Sequence, residues 1–168
     1  MQIKKDLIAG VLAGNSRQVA SVMRKGANVN IRFRGRTILL WAIQERHLNI
    51  VKTLIRAGAS VEARDKHGFT PLGHAASDGN LEAVEFLIKS GANVNRRSAA
   101  GSPLHSACAW GQLKIVKVLL AHGANPSALD KNGRTPLYFT KIKPKRVDRT
   151  IGKLLKSAIS SVPQRQPM

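Results

Sequence analysis

Apolar residues fall at helical spacing, and the helices they predict recur with a longer beat. Leu81, Val84, Leu87 and Ile88 stand three and four residues apart, as do Leu113, Val116, Leu119 and Leu120. That spacing gathers each set on one face of a helix. Ahead of each lies a stretch of small residues, Ala75-Ala76 and Ala107-Cys108, which predicts a first helix that neighbours approach closely. Thr70-Pro71 opens such a helix well: threonine caps free amide groups, and proline at the first helical position forfeits no hydrogen bond. Gly91 and Gly123 follow the apolar helices, where positive φ is cheap only for glycine.

The longer beat is 32 or 33 residues. Thr70-Pro71-Leu72, Ser102-Pro103-Leu104 and Thr135-Pro136-Leu137 keep it, and Ile38 stands 33 before Pro71. Gly26-Ala27-Asn28, Gly58-Ala59-Ser60, Gly91-Ala92-Asn93 and Gly123-Ala124-Asn125 keep the same time. Leu54, Leu87 and Leu119 come 16 residues after each proline position, with Val22 in that register of the first unit, where Asp6 holds the proline place. One unit cannot bury its own apolar face, so stacking must bury it, and the end units must cap the pile.

Gly68-Phe69-Thr70-Pro71-Leu72, Pro103-Leu104-His105-Ser106-Ala107 and Gly123-Ala124-Asn125 resemble the ankyrin repeat, over about residues 5 to 160. The resemblance implies an all-α solenoid of stacked helix-turn-helix units joined by β-hairpin-like fingers. About five units are expected, atypical end caps included, near residues 3–30, 31–63, 64–95, 96–127 and 128–160, within one domain over 1–160 and with 161–168 as a flexible tail. It implies protein binding by the finger tips and the concave face of the first helices. It also implies a structural role for His105, whose imidazole would hydrogen-bond a finger.

Several positions depart from the family pattern. Ile38 replaces proline, Leu40 replaces histidine, and Arg46 stands where glycine ends the first helix elsewhere. Gly73 replaces the histidine, with His74 following it. The first finger is one residue shorter than the next, and the Arg96-Arg97-Ser98-Ala99-Ala100 finger, poor in acids, reads as mobile. In the last unit residues 141–146 replace the usual turn, and Leu154 falls two residues late. Val147, Ile151, Leu154, Leu155, Ala158 and Ile159 line one face of a closing helix, with Arg149, Lys153 and Lys156 on another.

Charge sharpens the picture more than composition does. The 168 residues carry 28 Lys and Arg against nine Asp and Glu, a net charge of +19. The excess is +7 over residues 1–36, +4 over 37–132 and +8 over 133–168. Such a field attracts acidic partners and speeds encounter. Cys108 is alone, which excludes an internal disulfide, and it reads as a buried structural thiol. No apolar run is long enough to span a membrane. The start, residues 1–14, reads as a capping helix and the location as cytoplasmic; a leader already removed stays open. Gly14-Asn15-Ser16 lacks the lysine and second glycine of a phosphate loop.

Catalytic chemistry has no evident basis. His47, His67, His74, His105 and His122 occupy differing repeat positions, and one cysteine builds no cysteine-rich zinc site. No enzyme activity, cofactor or metal is expected. The expected partner is a protein with an acidic surface, bound by a chain that is monomeric when free. The candidate contact residues are Phe33, Arg34, Arg36, Lys66, His67, Phe69, Asp78, Trp110, Lys131 and Arg134, aromatics as anchors and cations for steering and register. Phe69 is expected to point outward. Phe33 reads either as an apolar anchor in an anion-binding tip or as a ring folded onto the neighbouring finger. Trp41 reads as core between units in preference to contact surface. Trp110 reads as a contact in preference to a packed shield over its helix end. The rival reading is a binder of nucleic acid or another polyanion through the basic ends. A third, a membrane-surface adaptor, rests on residues 145–160.

Overall fold

The computed structural model describes residues 2–98, 100–142 and 149–161. Each repeat unit folds as a helix pair: α1 (Gln2–Leu12) with α2 (Ser16–Arg24), α3 (Ile38–Gln44) with α4 (Leu48–Arg56), α5 (Pro71–Ser77) with α6 (Leu81–Lys89), α7 (Pro103–Ala109) with α8 (Leu113–Ala121), and α9 (Pro136–Ile142) with α10 (Arg149–Ser160). First helices touch first helices along the stack, from α1 through α3, α5 and α7 to α9, and second helices touch second helices from α2 to α10. The result is the expected all-α solenoid of two helical layers. Leu7, Leu54, Leu87, Leu119 and Leu155 are fully buried in one continuous core that runs through every unit. Small residues on the first helices, Ala42, Ala75, Ala76 and Ala107, are buried with them.

Capping matches the residue types. Thr37 Oγ1 accepts from the Leu40 amide at 3.3 Å and Thr70 Oγ1 from that of Gly73 at 3.1 Å. At Ser102 the device is a capping box in which His105 Nδ1 accepts from the Ser102 amide at 3.1 Å. Where the later units use a glycine of positive φ between their helices, Arg46 adopts φ 59°, and its guanidinium donates to the Asp78 carbonyl at 2.6 Å.

The fingers differ from one another in a way that follows from length. The first, shorter by one residue, closes as a two-stranded hairpin, β1 (Arg32–Phe33) with β2 (Arg36–Thr37), paired Arg32 to Thr37 and Phe33 to Arg36. Its turn residues Arg34 and Gly35 both have positive φ, 49° and 77°, as a type I′ turn requires. With leucine buried in place of the histidine at position 40, the Trp41 indole ties this finger down, donating to the Phe33 carbonyl at 2.9 Å. Trp41 is therefore half-buried beneath the finger and packed against the core, as the core reading has it in part, while its tie to the finger lay outside both readings. His105 performs the expected tie from its own unit to the last finger, with Nε2 donating to the Arg134 carbonyl at 3.0 Å. The Ser98 and Gly101 backbones exchange hydrogen bonds of 2.8 and 3.1 Å in the fourth unit's finger. Ala99, residues 143–148 and residues 162–168 lie outside the described residues, and with them most of the 141–146 stretch read as replacing the usual turn, part of the finger expected to be mobile, Val147 and most of the tail.

The closing helix α10 buries Ile151 and Leu155 and exposes Arg149, Lys153 and Lys156, as its pattern predicts. Among the described residues no helix is long and apolar enough to cross a membrane.

Candidate functional site

The third residue after the proline position on a first helix reaches its finger in two units, Trp41 bonding Phe33 and His74 bonding Asp65. In this register stand Trp41, His74, Ser106 and Phe139. Together with residues at the finger bases, the last three line a hollow of about 310 Å³ whose walls are Phe69, Ala100, Ala109, Trp110 and Phe139, with Ser77, His105 and Arg134 completing it. Trp110 follows α7 as its C-terminal cap and is 50% exposed. Phe69 is half-buried, its ring 5.3 Å from that of His74, so it faces the hollow and does not stand out into solvent as expected. Phe139 meets His105 edge to face at 6.1 Å.

Arg134 is held from two sides. Its Nε and Nη2 both lie 2.8 Å from Asp130 Oδ2, and its guanidinium carbon sits 4.9 Å from the Phe139 ring centre and 5.5 Å from that of Tyr138. Asp130 Oδ1 accepts from the amides of Asn132 and Arg134 at 2.8 and 2.9 Å. Burial alone would raise the Asp130 pKa; donors from the Arg134 amide, its guanidinium and the Asn132 amide outweigh burial and hold it below the ordinary 3.8. Asp65 repeats the design two units earlier. Burial again opposes the charge, and His74 Nε2 with the Phe69 and His67 amides, all within 2.8–2.9 Å, lowers its pKa. Burial also depresses the His105 pKa. A neutral ring accepting at Nδ1 and donating at Nε2 fits its two partners.

The candidate residues therefore fall into groups. Phe69, Trp110 and Arg134 share the hollow. Phe33, Arg34 and Arg36 make a separate cluster on Trp41: the Phe33 and Trp41 rings lie 5.8 Å apart, Arg34 covers Phe33 at 5.2 Å, and Arg36 covers Trp41 at 5.5 Å while bonding Gln44. Phe33 is thus folded onto its own unit's first helix, not onto the neighbouring finger. Lys66 and His67 are exposed at the second finger and Lys131 at the last. Asp78 is exposed at the end of α5, next to Ser77. Sequence reasoning missed Phe139 and His74 as walls. The signal was available in the shared register three residues after Pro136 and Pro71.

Among the described residues no cluster of three or more His, Cys, Asp or Glu is placed to hold a metal ion. Cys108 is buried, and burial pushes its thiol pKa up to about 12.

Comparison with known proteins gives the same architecture. Residues 7–98 match a family model described as ankyrin repeats in three copies, and residues 104–139 match another described as ankyrin repeats in many copies. The B-cell lymphoma 3 protein homolog of Mus musculus is 34% identical over 137 residues, covering 80% of this chain and 30% of that protein. The putative E3 ubiquitin-protein ligase XBAT35 of Arabidopsis thaliana is 39% identical over 97 residues, 55% of this chain and 21% of the relative. The putative ankyrin repeat protein FPV223 of Fowlpox virus is 32% identical over 113 residues, 67% of this chain and 79% of the relative. The chain thus spans less than a third of the mouse and Arabidopsis relatives.

Proposed function

Because this chain belongs to the ankyrin-repeat family, we propose that it is a non-catalytic protein-interaction module that grips an acidic protein surface with its fingers and concave face. The observation that carries this reading is the half-exposed Trp110 beside a hollow walled by Phe69, Ala109 and Phe139, on a protein of net charge +19. Indole is among the side chains that most often dominate binding energy, phenyl groups are enriched at interfaces, and cations around them steer an acidic partner into place. Such a module serves as an inhibitor, immunity factor, assembly chaperone or adaptor, according to what it holds.

Affinity capture from native cells with the wild type and with a Trp110→Ala/Phe69→Ala variant tests the reading. Loss of a specific partner from the variant supports it; equal recovery overturns the use of this face. The charge excess at the two ends, +7 and +8, favours a second reading as a polyanion binder. Affinity for mixed-sequence DNA and RNA measured against salt separates the two: phosphate-driven binding falls steeply by physiological salt unless a built site sustains it.

A further inference from the structure

The fingers carry a row of cations in matched register. Arg32, Arg64 and Arg97 each stand six residues after a unit-ending glycine, Gly26, Gly58 and Gly91, and all three are exposed. In the last unit that position is Leu129, 48% exposed, with Lys131 exposed two residues on. The acids that share the fingers are occupied internally. Asp65 and Asp130 are buried and take their donors from their own fingers or first helix, and Glu62 accepts from the Asn93 amide and attracts Arg96 at 3.5 Å. Among the described residues Arg64, Lys66, Arg97 and Lys131 have no carboxylate within 4.0 Å, the reach of a salt bridge.

Spacing along the row is fixed by bonds between fingers. Arg32 Nη2 donates to the Arg64 carbonyl at 2.8 Å, and Asn30, Glu62 and Asn95 each reach the next unit. Stacked helices lie about 8–10 Å apart, so successive fingers step by about that distance. A polyproline-II strand rises about 3.1 Å per residue with three residues per turn, so every third side chain returns to one face after about 9 Å. The two periods coincide.

Resting on the protein-interaction reading, we propose that the partner presents an extended, polyproline-II-like segment with a carboxylate at every third residue. The segment runs along the finger row across Arg64, Lys66, Arg97 and Lys131, and one of its apolar side chains enters the hollow between Phe69 and Trp110. The hollow is large enough to admit one such side chain, and its finger wall, Ala100, belongs to the finger that carries Arg97. A single-stranded nucleic acid fits less well. Its bases need open aromatic faces to stack on. Here Phe33, Trp41, Tyr138 and Phe139 each have a guanidinium over one face, and Phe69 and Trp110 share a single hollow instead of forming a series along the fingers.

The test is fluorescence anisotropy with the full chain and labelled synthetic peptides. One is a proline-rich peptide of about 12 residues with Glu at every third position and one Leu. Its isomer has the same composition with the Glu residues adjacent, and an oligonucleotide of matched charge is the third probe. The spaced peptide is expected to bind about tenfold tighter than its isomer near 0.15 M salt, where surface charges beyond about 8 Å are screened. Arg64→Gln, Lys66→Gln, Arg97→Gln and Lys131→Gln, at exposed tips, are each expected to weaken the spaced peptide severalfold while leaving the melting curve unchanged. Equal binding of the two peptides, no binding of either, or tighter binding of the oligonucleotide overturns the proposal. If partner capture still depends on Trp110 and Phe69 in that event, the interaction reading stands and only the finger-row geometry falls.

Discussion

Replacing Glu62 with asparagine should stabilise the protein. Four residues after Gly26, the Asn30 side chain spans to the next unit: Nδ2 donates to the Gly58 carbonyl at 3.1 Å and Oδ1 accepts from the Ser60 amide at 2.9 Å. Asn95, four residues after Gly91, does the same with Gly123 at 2.9 Å and Asn125 at 2.8 Å. Glu62 holds the equivalent place after Gly58. Its Oε1 accepts from the Asn93 amide at 2.8 Å, but a carboxylate has no hydrogen to offer the Gly91 carbonyl. Its Oε2 is shielded from solvent without a hydrogen-bond partner; Arg96 Nε at 3.5 Å attracts it without bonding it. Asparagine restores the second bond, worth about 1 kcal/mol, and removes a shielded oxygen whose desolvation costs about 1 kcal/mol or more. The half-exposed Arg96 pairing forfeits between about 0 and 1 kcal/mol. The net gain is about 1 to 2 kcal/mol, and each kcal/mol raises the melting temperature of a domain this size by about 2–4 °C. Thermal and urea unfolding followed by circular dichroism at neutral pH measures it. Glu62→Gln, which keeps the length and offers the donor from the wrong place, is the control. A Glu62→Asn protein no more stable than wild type, or a Glu62→Gln gain as large, would refute the reasoning.

Three further outcomes are expected. Asp130→Asn should cost about 2 kcal/mol at neutral pH, since two donors of Arg134 then face an amide nitrogen where they now meet Asp130 Oδ2. The native Asp130 carboxyl titrates below its unfolded 3.8, so its contribution is complete above that value and disappears as the pH falls through the native one; the stability gap between the two proteins should therefore close in acid, and a gap constant with pH would contradict the ionic origin. Arg46→Gly should be at least as stable as wild type and about 1 kcal/mol more stable than Arg46→Ala, because φ 59° strains both side-chain-bearing residues and only arginine offsets it through the Asp78 carbonyl; denaturant midpoints decide. Cys108, buried with its thiol pushed up to about 12, should react with a thiol-directed disulfide reagent only at the rate of unfolding, so prompt labelling of the native protein would overturn its burial.

The sequence made the repeat legible because its spacing is set by geometry that every unit must share: Leu54, Leu87 and Leu119 recur together because each must reach the same layer of one core. The exposed Trp110 was legible for a related reason, since its register places it past the end of a first helix. What stayed hidden were the side chains that substitute for one another. Trp41 fastens the first finger, where Leu40 has displaced histidine, through an indole donor to a carbonyl. His74 engages Asp65, whereas Arg134 engages Asp130 in the last finger. These exchanges leave no periodic trace, because the constraint is a satisfied donor or acceptor and several residue types satisfy it. Phe69 was misread for the complementary reason: neighbouring glycine and threonine describe its backbone, not the His74 ring that turns it toward the hollow.

Formal charge by segment also understates the polarity of the surface. Residues 37–132 sum to +4, a nearly mixed composition, yet Asp65 and Asp130 spend their charge on buried amides and on His74 or Arg134. Glu82 and Glu85 lie on α6, where they line a shallow hollow with Lys52 and Lys89. Glu45 and Asp78, each seven residues after its unit's proline position, are exposed where first helices end. The first helices thus run from a cationic finger rim to a turn rim of mixed charge, where Glu45 and Asp78 stand with the exposed Arg46. An acidic segment on the proposed path is drawn to the finger rim, so charge and spacing favour the same line along the stack.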